Sequence, residues 1–131
     1  MREIKFRGRD GDDWYYGSLF VNECGHTAIS AQKSFWMKPV NADTVGQFTG
    51  LLDSKGQEIY EGDILRFAPP WRWEEDERRV GVVVFKYYAF IVKYDDMSVG
   101  LFNLAANEPP YTIIGNIHDS PELLEADHER D

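Results

Sequence analysis

The sequence predicts a mainly β fold: a small SH3-like, barrel-like C-terminal part packed with an N-terminal β-hairpin region, and a short C-terminal helix. Three observations predict it. Apolar and polar residues alternate with a period of two, which places every second side chain on the same face of a sheet. Turn-forming residues break these runs at spacings of roughly 8–12 residues, the rhythm of sandwiches and barrels. Aromatic residues make up 15% of the 131 residues, and aromatic rings suit a half-buried pleated surface.

Each element follows in order. Residues 2–8 and 14–21 form an N-terminal hairpin, with Gly8-Arg9-Asp10-Gly11-Asp12-Asp13 supplying the turn. Short strands are predicted over His26–Ser30, Phe35–Lys38 and Val45–Thr49. At Asp53-Ser54-Lys55-Gly56 the Asp carboxylate caps a turn and Gly supplies the positive φ needed to leave it. The stretch Ile59–Phe67 turns into another strand at Gly62. Pro69 and Pro70 cannot pair in a ladder and Glu74–Glu77 resist burial, so Pro69–Glu77 is an exposed loop. Val80–Phe85 and Phe90–Tyr94 are apolar on both faces and pair as central strands, although Lys86-Tyr87-Tyr88-Ala89 between them holds no turn former. Val99–Leu104 and Tyr111–Ile117 complete the strands, with Glu108-Pro109-Pro110 as a loop. Ser120 caps a short helix that starts at Pro121 and ends near Glu125. The chain is expected to form one domain over 1–131, with sub-lobes 1–58 and 59–124 and a frayed acidic tail, 125–131.

The formal charge is −9, and Asp119–Asp131 alone carries six carboxylates against one arginine. The remainder is only mildly acidic, which argues against strong phosphate-backbone binding through clustered Lys and Arg. Arg2, Lys5, Arg7 and Arg9 lie close together, and a solvated strand face accounts for them. Cys24 stands alone, so no internal disulfide forms and a reducing cytoplasm suits the chain. The start lacks a secretory pattern, and the longest apolar run, Val82–Phe85, cannot span a membrane.

Three stretches carry a resemblance. The first is Arg2-Glu3-Ile4-Lys5-Phe6-Arg7-Gly8, with Trp14 and Tyr16-Gly17 behind it. The second is Thr44-Val45-Gly46-Gln47-Phe48-Thr49-Gly50-Leu51, followed by Asp53-x-x-Gly56-x-x-Ile59-Tyr60-Glu61-Gly62-Asp63-Ile64. The third is Ile114-Gly115-Asn116-Ile117 with Pro121-Glu122-Leu123-Leu124. In this order and over nearly the whole chain they resemble the YopX family of phage-encoded proteins. The resemblance implies a mainly β cytoplasmic protein of a phage or prophage-like element, acting in the host cell and self-associating. It brings no assigned activity. Its motif residues here are Gly46, Gln47, Phe48, Thr49, Gly50, Tyr60, Glu61, Gly62, Asp63, Gly115 and Asn116.

Candidate chemistry is sparse. Glu58, Glu61 and Asp63 around Tyr60 and Gly62 have the residue types of an acid–base pair or hard-metal site. The structural alternative is that Asp63 accepts backbone N–H groups at a turn made by Gly62. Gln47 and Asn116, each beside a glycine, fit buried amides that satisfy backbone groups. Cys24-Gly25-His26 is too poor for zinc, since only His118 and His128 stand elsewhere. No P-loop, GxGxxG, GxSxG or HExxH occurs, so no catalytic activity, metal or cofactor is expected. Trp71-Arg72-Trp73 has the composition of an interface hot spot, or alternatively of rings folded back over a barrel end. The leading expectation is a non-enzymatic accessory protein that works by contact with itself or an unknown protein. The alternative is a nucleic-acid-associated module whose aromatic strand faces stack on single strands.

Overall fold

Among the described residues eleven strands and one short helix follow one another, and the alternation of apolar residues accounts for most of them. A computed structural model of the chain describes residues 3–31, 36–68, 78–95, 97–106 and 110–124. The chain divides into two compact units, Met1–Gly50 and Leu51–Asp131.

In the first unit, β1 (Phe6–Asp10) pairs antiparallel with β2 (Asp13–Val21), β2 with β3 (Thr27–Ser30), and β3 with β4 (Met37–Pro39). On its other side β1 pairs with β5 (Asn41–Leu52), giving the order β4-β3-β2-β1-β5. The first hairpin turn is tighter than the sequence predicts: Asp10 faces Asp13, leaving Gly11 and Asp12 as the connection. Gly8 and Arg9 belong to the strand instead. A Cβ on Gly8 would lie 2.7 Å from Val40, so its bare face is what Val40 packs on, and the Arg9 guanidinium lies 5.7 Å from the Trp14 ring centroid. β5 is also longer than the expected Val45–Thr49. Its register against β1 slips between Arg7 and Arg9, and Thr44 bridges the slip: its hydroxyl accepts from Arg9 N at 2.8 Å and donates to Asn41 O at 2.6 Å. Phe35, expected in a strand, lies outside the described residues.

The second unit holds an antiparallel sheet in the order β10-β9-β8-β7-β11. Its strands are β7 (Asp63–Phe67), β8 (Arg79–Lys86), β9 (Ala89–Tyr94), β10 (Met97–Gly100) and β11 (Tyr111–Asn116). A three-residue strand, β6 (Glu58–Tyr60), pairs with β5 beyond the Asp53 turn. The expected barrel does not close. β10 and β11 end the sheet on opposite sides, so among the described residues it is an open sheet. Part of the reason is a second correction: residues expected to continue a strand to Leu104 form α1 (Leu101–Ala106). Leu101 and Leu104 are both fully buried. A strand would send residues three apart to opposite faces, whereas a helix turns both onto one face. The Leu-Phe-Asn-Leu-Ala-Ala composition also favours helix.

Leu101 and Leu104 join Ile59, Leu65, Phe67, Val83, Phe90, Val92, Tyr94 and Val99 in one buried cluster, with Phe67 and Tyr94 edge to face at 5.0 Å. Residues 122–124 form the expected helical turn; Leu123 N donates to Ser120 O and Leu124 N to Pro121 O. Glu125 and the acidic tail lie outside the described residues.

The β8–β9 hairpin closes on two residues. Lys86 faces Ala89, and Tyr87 and Tyr88 between them have φ of 56° and 65°. Two-residue hairpin turns normally draw on Asn and Gly for this left-handed backbone. For side-chain-bearing residues it costs about 1–2 kcal/mol each. The T-shaped Phe85–Phe90 pair, 5.0 Å apart, supports the turn from below.

Candidate functional site

The family-motif residues divide between the two units. In β5, Gly46 and Gln47 face Arg7 and Phe6 across the ladder, Phe48 N donates to Lys5 O at 2.7 Å, and Thr49 is fully buried. Gly50, with φ of 88°, ends this stretch. Lys5 and Arg7 lie over the rings of Phe48 and Trp14, at 5.4 and 4.7 Å. Lys5, Arg7 and Arg9 thus rest on aromatic faces, and Arg7 is buried. Arg2 lies outside the described residues.

The second and third motifs meet on neighbouring strands. Asp63 faces Asn116 and Ile64 faces Gly115 in the β7–β11 ladder, with a register shift at Gly115. Gly62 has φ of 94° and sits at the turn between β6 and β7; its N–H donates to Val83 O and its carbonyl accepts from Ile117 N. Only glycine takes that backbone conformation without strain. The Asp63 carboxylate, 2% exposed, accepts from Tyr60 N at 2.8 Å. Tyr60 OH in turn donates to Glu58 at 3.2 Å. Glu61 occupies the turn, half-buried. Asn116 caps the next turn: its Oδ1 accepts from His118 N and Asp119 N, and its amide donates to Asp119 at 3.0 Å. Gly115 gives room to Leu123, whose Cδ1 would lie 2.8 Å from an added Cβ.

Asp53 does more than a local turn requires. One carboxylate oxygen accepts from Lys55 N and Gln57 N, both at 2.9 Å, and the other from Ile113 N at 3.0 Å. Ser54 exchanges two further bonds with Tyr111, and Tyr111 OH donates to Leu52 O at 3.0 Å. The turn thereby fastens β11 across some sixty residues of sequence. Burial, and secondarily the charge of Asp53, raises the Tyr111 phenol above its ordinary value. Asp53 and Asp63 thus each accept backbone N–H groups at turns. Among the described residues no group of three or more His, Cys, Asp and Glu is arranged to hold a metal. Cys24 is exposed, and His26 sits in a loop organised by Asn22, whose Oδ1 accepts from Cys24 N and His26 N. Among the described residues no helix is long and apolar enough to cross a membrane.

Two surface features stand out among the described residues. The first unit carries a cleft of about 720 Å³, lined by Phe20, Val21, Met37, Pro39, Val40 and Ala42, with Asn22, His26 and Thr27 at its polar end. Phe20, Val21 and Met37 are each about half exposed or more. In the second unit the tip of the β8–β9 hairpin displays Tyr87 and Tyr88, 79% and 98% exposed, above a half-exposed Phe85. Neither feature is marked by a motif. The signal for the tip was present nonetheless, as a hairpin turn without a single turn-forming residue. Trp71-Arg72-Trp73 lies outside the described residues.

The family profile described as YopX protein matches residues 6–125. Two solved structures share the fold. Protein EF1440 from Enterococcus faecalis is similar at a TM-score of 0.59 and 21% identity, over 95% of this chain and 99% of that one. Protein yopX from Bacillus subtilis is similar at a TM-score of 0.59 and 22% identity, over 95% of this chain and 97% of the other. No curated protein matches significantly.

Proposed function

The chain belongs to the YopX family, and from that premise we propose that it is a non-enzymatic accessory protein of a phage or prophage, working in the host cytoplasm through protein–protein contact and as a homo-oligomer. The apolar cleft on the first unit carries this reading. Phe20, Val21 and Met37 line one cleft together with Asn22, His26 and Thr27, a mix of exposed apolar and polar side chains that suits a docking site. The engagement of Asp53 and Asp63 by their own backbone supports a structural role for the motif carboxylates.

The nucleic-acid alternative is weakened by the placement of Lys5, Arg7 and Arg9 over Phe48 and Trp14, where their charges serve the fold. The test is affinity capture from infected or induced host cells, run with the wild type and with Phe20→Asp/Met37→Asp. The proposal expects one specific protein, or further copies of this chain, retained by the first and lost by the second. Equal recovery with both would remove the cleft from the proposal. Salt-sensitive binding of single strands tighter than about 10 µM would favour the alternative.

A further inference from the structure

We propose that the tyrosine tip of the β8–β9 hairpin on one copy inserts into the apolar cleft on the first unit of another copy. The proposal rests on the self-association put forward above and names the two surfaces that make it.

The tip is a knob held in an expensive conformation. Tyr87 and Tyr88 both take a left-handed backbone that Asn-Gly would adopt without strain, and their side chains are almost wholly exposed. Strain kept at an exposed position points to a use for the side chains displayed there. The knob is rigid as well, because Phe85 and Phe90 clasp each other beneath it. Two tyrosines ordered in advance lose little freedom on docking.

The receiving surface is on the same chain. The cleft volume, about 720 Å³, exceeds what two phenol rings require and lies within the range of roughly 300–1,000 Å³ typical of ligand pockets. Its walls are mostly apolar, and Asn22 and His26 among the lining residues can meet a phenol hydroxyl, which needs a partner once buried. Charge agrees in sign. Lys86 and Lys93 flank the tip, bordering a shallow depression with Tyr87 and Met97. Exposed Glu23 and Asp43 adjoin the cleft-lining residues Asn22 and Ala42. Rings of about 150–250 Å² each, with matching cleft surface, bring the buried total to about 600–1,000 Å², the size range of a weak, reversible contact. Exchanged reciprocally between two copies, knob and cleft close a two-fold dimer; passed head to tail, they close a larger ring or extend as a filament.

The test compares molecular mass in solution for the wild type and Tyr87→Asn/Tyr88→Gly. That double change relaxes the turn, so the variant is expected to melt higher than the wild type, which separates lost docking from lost folding. The expected result is a wild-type mass of two or more chains and a variant mass of a single chain. An oxidised Tyr88→Cys variant should also give disulfide-linked species that disappear in Tyr88→Cys/Cys24→Ser, because Cys24 lies in the loop bordering the cleft. A wild type that stays a single chain at 100-fold different concentrations would overturn self-association itself. An assembled wild type whose mass survives the double change would overturn only the knob and cleft. Single-strand DNA binding lost in the variant, with mass unchanged, would also overturn the inference and assign the tip to nucleic acid.

Discussion

The two units solve the problem of holding a sheet together in different ways. The second buries a ten-residue cluster centred on Phe67, Val83, Val92 and Leu101. Among the described residues of the first, Ile29 and Phe48 are the buried apolar side chains. Beside them, cations lie on rings: Arg7 and Arg9 over Trp14, Lys5 over Phe48 and Lys38 over Tyr15. A sheet held by such layers shields its aromatic faces without a second apolar layer, since the side chains of Lys and Arg cover the rings. It also leaves Phe20, Val21 and Met37 at the surface. Burial by side-chain packing and burial by stacked cations therefore predict different responses to mutation, to salt and to partners.

The sharpest way to break this comparison is Phe67→Ala. Phe67 is fully buried and edge to face with Tyr94, so its truncation should cost about 3–5 kcal/mol through lost transfer energy and a cavity. Denaturant unfolding followed by circular dichroism measures this. A loss below about 1 kcal/mol would mean that the cluster is not the principal source of stability in its unit. For the first unit the matching change is Trp14→Leu, which keeps an apolar side chain and removes the ring beneath two guanidinium groups. At about 0.5–1 kcal/mol per cation–π contact, the expected cost is about 1–2 kcal/mol. Salt should erode the Phe67 contribution little and the Trp14 contribution more. Identical salt profiles for the two variants would dissolve the distinction.

The same contrast explains what the sequence made legible. Period-two alternation located nine of the strands to within a few residues, because it reports the core directly and the core is made of alternating side chains. The carboxylate of Asp53 was readable as a turn cap, but its third bond, to Ile113 N, joins residues sixty apart and has no local signature. Helix α1 was misread because Val99-Gly100-Leu101-Phe102 continues an apolar run, and the signals for helix there, the three-residue spacing of Leu101 and Leu104 and the Leu-Ala-Ala composition, are short and local. Open sheet and closed barrel also read alike, since both use the same short strands and differ only in whether the outermost two meet. Among site residues, Gly62 and Asp63 were readable as turn chemistry. The cleft was not, because Phe20 and Val21 lie at the end of β2 and Met37 in β4, and nothing in the sequence joins these positions until β3 is paired between the two strands.

Tyr111 gives the smallest expected effect and the one that best tests the fastening of β11. Tyr111→Phe removes the hydrogen bond to Leu52 O and should cost about 1 kcal/mol at neutral pH, within the range for a single such bond. Its pH dependence has a definite sign. The phenol is raised in the folded chain, by burial first and then by Asp53, so folding favours the protonated form. Its contribution is complete below the ordinary tyrosine value near 10.0 and is lost as pH rises through the raised value. The stability gap between wild type and Tyr111→Phe should therefore narrow in alkali. Lys38 is raised too, through its hydrogen bond with Asp10, but it is common to both proteins and cancels in the difference. Urea midpoints at pH 7, 9 and 10.5 measure the gap. A gap that stays constant or widens with pH would show that the hydroxyl does not fasten β11 to the end of β5, leaving Asp53 and Ser54 as the turn's hold on that strand.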